Sequence, residues 1–99
     1  MYKNKDLIEE IFSSKGRVRV LRTLIKDQEL NISEIARKTR LSHTSVEEHL
    51  EKLCKTNVII EKRFGRIRIF KFNENNSIAK IIEEMFNKIE KLLGEENEG

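Results

Sequence analysis

Two short helices joined by a very tight turn are the feature that most constrains the fold of this sequence. Their apolar residues predict helices over 33–39 and 42–55, with Ser33 and Ser42 as the N-caps. Only Arg40-Leu41 separates the two segments. A connection this short makes the helices pack against each other. It also leaves the first turn of the second helix at the surface.

Each helix has an apolar face, and the second has a distinct polar one. The apolar positions recur at helical spacing and are Ile35, Ala36, Val46, Leu50 and Leu53. The polar face of the second helix carries His43, Thr44, Ser45, Glu48 and Lys52. Small polar side chains at an exposed helix N-terminus fit the major groove of DNA and can reach base edges. The free N–H groups at such an end also suit a phosphate.

Further elements are predicted on both sides of this pair. Helices are expected over 2–14, 17–26 and 78–93, and a short strand over 30–32. Segments 58–63 and 66–73 are rich in β-branched and aromatic residues and flank Phe64-Gly65, which predicts a β-hairpin. On its second strand, Ile67 and Ile69 alternate with Arg68, Phe70 and Phe72. The predicted fold class is mainly α with a small β-hairpin (α+β), in one domain.

Charge is distributed unevenly along the 99 residues. Residues 1–73 carry 17 basic and 10 acidic side chains, a net charge of +7, whereas residues 74–99 have a net charge of −4. The hairpin alone holds five cations, Lys62, Arg63, Arg66, Arg68 and Lys71. Arginine suits phosphates and narrow minor grooves. The alternative is that positive charge protects edge strands from aggregation.

The pattern over residues 17–72 resembles the winged-helix domain of arsenic-repressor-type and multiple-antibiotic-resistance-type regulators. The resemblance lies in the stretches RVRVLRTL (17–24), NISEIA (31–36) and LSHTSV (41–46), followed by His49-Leu50, Leu53, Val58-Ile59 and the hairpin up to Phe72. It implies a winged helix-turn-helix fold in which Ser42–Ser45 begin the DNA-recognition helix. It also implies that Arg63, Arg66 and Arg68 lie on the wing, near the minor groove or the DNA backbone. Arg37, Lys38 and Arg40 are expected to add phosphate contacts.

One position departs from the pattern of these families. Many members have a basic or neutral residue where this chain has Glu48, and Glu47 beside it is also acidic. A glutamate can accept a hydrogen bond from cytosine N4, so Glu48 could read a base. The preferred interpretation is an ion pair with Lys52, four residues later, on a solvated face.

The last helix carries a separate signal. Ile78, Ile82, Met85, Ile89 and Leu92 follow heptad spacing, and Ile81, Phe86 and Leu93 widen the stripe. The helix could fold back on its own domain. We favour packing against the same helix of a second chain, together with the N-terminal helix. A two-fold dimer would then place two recognition helices about 34 Å apart, on successive major grooves.

The sequence argues against an enzyme and against a metal or cofactor site. It has no phosphate-binding glycine loop and no nucleophile–base pair at an informative spacing. Cys54 is the single cysteine, and the expected state is a small buried thiol. His43 is expected in the first turn of the recognition helix, either simply exposed or contacting DNA, and His49 is expected to be partly packed.

Two expectations concern the origin and location of the chain. No long apolar segment follows Met1, so neither a signal peptide nor a membrane span is expected, and the predicted location is cytoplasmic. Abundant Glu and Lys, with no proline at all, are typical of heat-adapted proteins.

The functional prediction is sequence-specific binding of double-stranded DNA by a homodimeric transcriptional regulator that represses by occluding a promoter. Residues 1–75 form the predicted DNA-binding domain, 76–94 the dimerisation helix and 95–99 a frayed tail. Two alternatives stay open. One is a sequence-tolerant chromatin protein, and the other is a winged helix that binds only proteins.

Overall fold

The computed structural model describes residues 4–98, which form five helices and a three-stranded sheet. The elements follow the predicted order: α1 (Asn4–Ile11), α2 (Lys15–Asp27), β1 (Glu29–Asn31), α3 (Ile32–Thr39), α4 (His43–Lys55), β2 (Ile59–Phe64), β3 (Ile67–Phe72) and α5 (Ser77–Glu98). The predicted mainly α class with a β-hairpin is confirmed. Residues 2 and 3, which were predicted to begin the first helix, lie outside the described residues.

The first two helices meet at a sharp break. α1 ends at Ile11, three residues before its predicted end. Ser14 then caps α2, its Oγ accepting a hydrogen bond from the backbone N of Arg17 at 3.1 Å. Gly16 was predicted to belong to the break but lies in the first turn of α2.

The cap of α3 differs from the prediction. Asn31, not Ser33, is the N-cap, and its Oδ1 accepts from the backbone N of Glu34 at 2.8 Å. The carboxylate of Glu34 accepts in return from the backbone N of Asn31 at 3.0 Å. This reciprocal capping box satisfies two helix-end donors at once, whereas a cap at Ser33 would satisfy one.

The sheet is antiparallel with strand order β1-β3-β2. β3 therefore lies in the centre, pairing Leu30 of β1 with Phe70 and Ile59 of β2 with Phe72. Phe70 and Phe72 are buried, while Ile67 is exposed. The predicted alternation is correct, and the aromatic face is the one that covers the core.

The core is centred on α2, which packs against α3, α4 and the sheet. Its largest fully buried members come from every layer and are Ile11, Leu21, Leu24, Ile35, Leu50, Leu53, Phe70 and Phe72. This single core fixes the positions of α4 and the hairpin relative to each other.

The final helix is longer than predicted. α5 continues to Glu98, through Gly94 and most of the predicted frayed tail. Gly94 does not have the positive φ of a helix-terminating glycine. A glycine inside a helix costs only about 1 kcal/mol, so it permits a stop without enforcing one.

Candidate nucleic-acid interface

The N-terminal turn of α4 projects from the surface. Ser42 caps the helix, its Oγ accepting from the backbone N of Ser45 at 3.1 Å, as predicted. His43 and Thr44 are exposed and Ser45 is half-buried. The other side of the helix, with Val46, is fully buried. The first turn therefore offers small polar side chains, and backbone N–H groups that Ser42 does not cap, at the positive end of the helix dipole.

The β2–β3 hairpin, here called the wing, ends in a two-residue turn. Gly65 has a φ of 64°, and Arg66 after it has a negative φ. Positive φ at the first turn position only is the pattern of a type II′ turn, which favours glycine there. Phe64 and Ile67 flank the turn as a register pair and are both exposed. Arg66 is thus carried at the outermost point of the hairpin.

The predicted wing cations divide by their partners. Glu61 accepts from the Nε of Arg63 at 2.9 Å and from the Nε of Arg68 at 2.8 Å. The Nζ of Lys62 lies 3.5 Å from the carboxylate of Glu29. Neither Lys71 nor Arg66 forms an ion pair with any side chain that the structure describes, but Lys71 is half-buried, unlike the exposed Arg66. Arg66 is the wing cation most available to a phosphate.

Arg68 ties the wing to α4. Besides Glu61, its guanidinium reaches the carboxylate of Glu47 at 3.5 Å and lies 5.3 Å from the ring centroid of Phe70. The hydrogen bond from Arg68 lowers the pKa of Glu61, although burial opposes it, and the same bond raises the pKa of Arg68. Arg68 therefore holds two parts of the interface together, a role that the sequence analysis did not predict.

The contact between Arg68 and Glu47 places the wing beside the N-terminal half of α4. A cleft between them is lined by Glu47, Glu51 and Cys54 of α4 and by Glu61 and Arg68 of the wing. The wing therefore packs along the face of α4 that begins at Glu47, one turn after the exposed first turn.

The three cations at the end of α3 also differ in their surroundings. Arg37 and Arg40 are exposed. The Nζ of Lys38 lies 3.2 Å from Asp27, so this side chain is directed toward the end of α2. Arg40 adopts a left-handed backbone, with φ of 62°, and ends α3. That conformation turns the chain sharply enough for Arg40, Leu41 and the cap residue Ser42 to connect α3 to α4.

The ion pair predicted between Glu48 and Lys52 is absent from the described part of the chain. Glu48 is exposed and Lys52 is half-buried. The pair at this spacing on α4 is instead formed by Glu51 and Lys55, at 3.5 Å. Glu48 therefore keeps a free carboxylate on the outer face of α4.

A buried arginine beneath α4 is the main feature that the sequence analysis missed. Arg17 was named above only as the first residue of the stretch RVRVLRTL, and its side chain is only 7% exposed. Its Nη1 donates to the carboxylate and the backbone carbonyl of Glu10, both at 2.8 Å. Its Nε donates to Nδ1 of His49 at 3.2 Å. The sequence does contain an indication of this burial, because Arg17 is in helical register with Leu21 and Leu24 on the apolar face.

His49 is half-buried, as expected. Burial lowers the pKa of its imidazole, and the positive charge of Arg17 lowers it further, while Glu48 acts in the opposite direction. Both main causes favour the neutral ring, which is the form that can accept at Nδ1.

Neither the lone thiol nor the carboxylates form a recognisable chemical site. Cys54 is half-buried, not fully buried as predicted, and burial raises its pKa to about 11. Within the described residues, no group of three metal-binding side chains is placed to hold an ion. Over the same residues, every helix is too short or too polar to cross a bilayer.

α5 presents apolar side chains on two adjacent faces. Ala79, Ile82 and Phe86 pack against the domain's own core, Ile82 being 5% exposed. Ile82 is thus not free for a partner, which corrects the predicted seam at this position, and Phe86 is half-buried. The remaining members form an exposed row, here called the apolar stripe, of Ile78, Ile81, Met85, Ile89, Leu92 and Leu93.

The helix thus folds back on its domain and still leaves an apolar surface. The Nε of Arg22 in α2 lies 3.1 Å from the carboxylate of Glu90 in α5, which joins the two helices. A groove of about 220 Å³ beside this pair is lined by Val18, Phe86, Ile89 and Leu93. Ile8 and Phe12 are exposed at the end of the chain near α1.

Comparison with known proteins agrees with this architecture. Residues 17–60 match the family of winged helix-turn-helix DNA-binding domains. No curated protein sequence matches the chain.

Solved structures with the same fold include several regulators. The reduced form of HlyU from Vibrio cholerae superposes with a TM-score of 0.71 and 18% identity, over 84% of this chain and 83% of that one. The transcriptional repressor PagR of Bacillus anthracis gives 0.71 and 22%, over 84% and 91%. The transcriptional repressor BigR from Xylella fastidiosa gives 0.69 and 14%, over 84% and 81%. The predicted resemblance to winged-helix regulators is confirmed at the level of the fold.

Proposed function

Because residues 17–60 match the winged helix-turn-helix DNA-binding family and the chain has the winged-helix fold, we propose that it is a homodimeric transcriptional regulator that binds double-stranded DNA. In this proposal α4 is the recognition helix and enters the major groove. The wing lies over the adjacent backbone or minor groove. Binding represses by occluding a promoter, and two of the structurally similar proteins are described as repressors.

The observation that carries the proposal is the position of the wing beside an exposed helix N-terminus. The Arg68–Glu47 contact puts the wing next to the leading half of α4, where His43 and Thr44 are exposed. A groove-binding helix needs an accessible first turn, and a flanking cationic hairpin adds phosphate contacts. A buried first turn, or a wing on the opposite side, would have removed this support.

Base reading and phosphate binding fall to different residues in this arrangement. His43, Thr44 and Ser45 at the start of α4 are proposed to meet base edges, with the free carboxylate of Glu48 able to accept from cytosine. Phosphate contacts are assigned to the exposed cations Arg37, Arg40, Arg63 and Arg66, with Lys52 and Lys62 at the margins. Lys38 is left out because Asp27 holds it. Arg68 is left out because it binds both Glu61 and Glu47 and is less exposed than Arg63, the other arginine bound to Glu61.

The phosphate contact of the wing is tested with Arg66→Ala. Loss of one phosphate contact should weaken binding to all duplexes about equally and reduce the slope of log affinity against log salt by about 1. Lys91→Ala is the matched control, since Lys91 is an exposed cation on α5, away from the interface. An unchanged affinity and salt slope for Arg66→Ala would contradict the proposed docking.

Sequence specificity needs its own experiment. Selection of bound duplexes from a random pool should yield a shared site, and Thr44→Ala should alter the preferred bases. A regulator should bind the selected site about a thousandfold or more tighter than random duplex. A salt dependence without sequence preference would favour the sequence-tolerant chromatin protein. Absence of binding to any duplex would favour a protein-binding role.

The dimer is proposed to form through the apolar stripe together with Ile8 and Phe12. A row of six exposed large apolar side chains on one helix of a small chain is typical of an association site. α5 has 22 residues and is about 33 Å long, so the stripe can pair with its copy over several turns. A two-fold pairing presents both recognition helices on one side of the DNA.

Oligomeric state tests this surface directly. Sedimentation of the unmodified chain at micromolar concentration should give a dimer, and Ile81→Glu with Leu92→Glu should give a folded monomer that binds DNA more weakly. Asn87→Glu adds one of these two negative charges at an exposed polar position of α5 and should leave the dimer intact. A monomeric unmodified chain would contradict the dimer without affecting the DNA-binding proposal.

A further inference from the structure

We propose that Arg17 is a positioning residue for DNA binding, which holds the recognition helix α4 in place through the neutral imidazole of His49. Protonation of His49 would then release α4 and weaken DNA binding. The inference rests on the proposed function, because it names a control over the same interface. Neither residue is proposed to touch DNA.

The geometry joins three helices at one guanidinium. Arg17 belongs to the first turn of α2, and its Nη1 binds both the carboxylate and the backbone carbonyl of Glu10, close to the end of α1. Its Nε binds Nδ1 of His49, in the middle of α4. A buried charge is costly unless it is fully paired, so the three bonds depend on one another. Loss of the His49 acceptor leaves the guanidinium incompletely satisfied.

The imidazole has little room to move while the bond is made. A Cβ placed on Gly16 would lie 2.8 Å from Nε2 of His49 and 3.5 Å from Cδ1 of Leu41. The ring is thus enclosed between the backbone of Gly16 on one side and the guanidinium of Arg17 on the other. The next residue of α4, Leu50, is buried in the core, so the backbone that carries the ring is held in place.

Protonation of the ring is incompatible with this arrangement. Nδ1 accepts the bond from Arg17, and a protonated Nδ1 cannot accept. Three charged groups surround the ring: Arg17 from α2, Glu10 from α1 by way of Arg17, and Glu48 from α4 itself. The carboxylate of Glu10 is already engaged by Arg17. An imidazolium would therefore face a buried cation, with only Glu48 to favour it.

The expected effect of acid on DNA affinity is opposite to the effect of electrostatic attraction alone. A cationic DNA-binding chain ordinarily binds more tightly in acid, because its net positive charge rises and the phosphates attract it more strongly. Release of α4 by His49 predicts weaker binding in acid. The direction of the pH effect alone therefore separates the two mechanisms.

The experiment measures binding of the full chain to a fluorescein-labelled random-sequence duplex of about three helical turns, at constant ionic strength. Because the pKa of His49 is lowered from its ordinary value, affinity should hold near neutral pH and fall in acid, by up to about tenfold between about pH 7.5 and about pH 5, the effect of one lost hydrogen bond to a charged group. In His49→Gln the ratio of the two affinities should approach one, since a glutamine oxygen accepts from Arg17 and does not titrate. His43→Gln is the matched control and should keep the fall.

Several results would overturn the inference. They are tighter binding in acid by the unmodified chain, or a fall of the same size in His49→Gln. Circular dichroism at both pH values monitors folding. If the unmodified chain and His49→Gln both unfold in acid, the inference also fails. Absence of duplex binding at about pH 7.5 would instead remove the proposed function, and this inference with it.

Discussion

A single methyl group added at Gly16 gives a sharp test of how firmly His49 is held. Gly16 lies in the first turn of α2, where its φ is not of the positive kind that requires glycine. Alanine in place of a helical glycine normally stabilises by up to about 1 kcal/mol. At this position the new Cβ would lie 2.8 Å from Nε2 of His49, closer than the two atoms can approach. Backbone preference therefore predicts that Gly16→Ala stabilises the chain, whereas side-chain packing predicts that it destabilises the chain.

The size of the destabilisation follows from the hydrogen bond that the imidazole would lose. The ring can leave the methyl only by breaking its bond from Nε of Arg17, since Leu41 and the backbone of α2 limit other movements. A hydrogen bond to a charged group contributes about 1.5–3 kcal/mol. After the helix gain of about 1 kcal/mol is subtracted, Gly16→Ala should destabilise the chain by about 0.5–2 kcal/mol. A domain of this size loses roughly 5 °C in Tm for each kcal/mol.

Urea and thermal unfolding at one fixed protein concentration provide the assay, because association would otherwise shift the apparent stability. Gly94→Ala is the matched control. Gly94 lies within α5, and a Cβ there would meet nothing within 4 Å. Gly94→Ala should therefore stabilise the chain, or have no effect if this end of α5 frays.

A double-mutant cycle separates the clash from other causes. In a His49→Ala background the ring is absent, so Gly16→Ala should stabilise the chain, as alanine usually does in place of a helical glycine. If Gly16→Ala stabilises the unmodified chain as much as Gly94→Ala does, the imidazole is not confined. The reasoning about Arg17 and His49 would then fail.

Three further predictions concern single contacts. Ser42→Ala removes the cap of α4 and should cost about 1 kcal/mol in urea unfolding, and a loss within error would show that another group caps the helix. The thiol of Cys54, with a pKa of about 11, should react slowly with a thiol reagent at neutral pH and faster with each added unit of pH up to that value; rapid neutral reaction would contradict its burial. Glu61 has a lowered pKa in the folded chain, so its stabilising contribution is present above the unfolded pKa and is lost as the pH falls through the folded one. Glu61→Gln should therefore flatten the acid limb of the stability profile, and an unchanged limb would refute the role of its bonds to Arg63 and Arg68.

The sequence was sufficient to predict the order and type of all the elements. Apolar spacing located the helices, and β-branched runs around Gly65 located the hairpin, because period and turn chemistry are local properties. Local signals were less reliable at boundaries. Ser33 and Asn31 are both good cap residues, and only the reciprocal bond with Glu34 decided between them. Gly94 lacks the positive φ with which a glycine ends a helix, so α5 continues past it.

The candidate site was predicted as a set of residues but not as a set of contacts. Composition identified the wing as basic, yet it could not show that Glu61 holds Arg63 and Arg68 and leaves Arg66 free. The apolar repeat of α5 was visible, although its division between the core and an exposed stripe was not. A repeat shows which residues share a helix face, and the neighbouring helix determines how much of that face it covers.

By itself, then, the sequence determined a winged helix with an exposed polar helix turn, a cationic hairpin and an apolar final helix. Only the tertiary structure decided that Arg17 is buried and reaches Glu10 and His49, the latter 32 residues away in the chain. Periodicity reports which residues share a helix face. It does not report which charge on that face will find partners from other helices, because such partners are brought together only when the core packs.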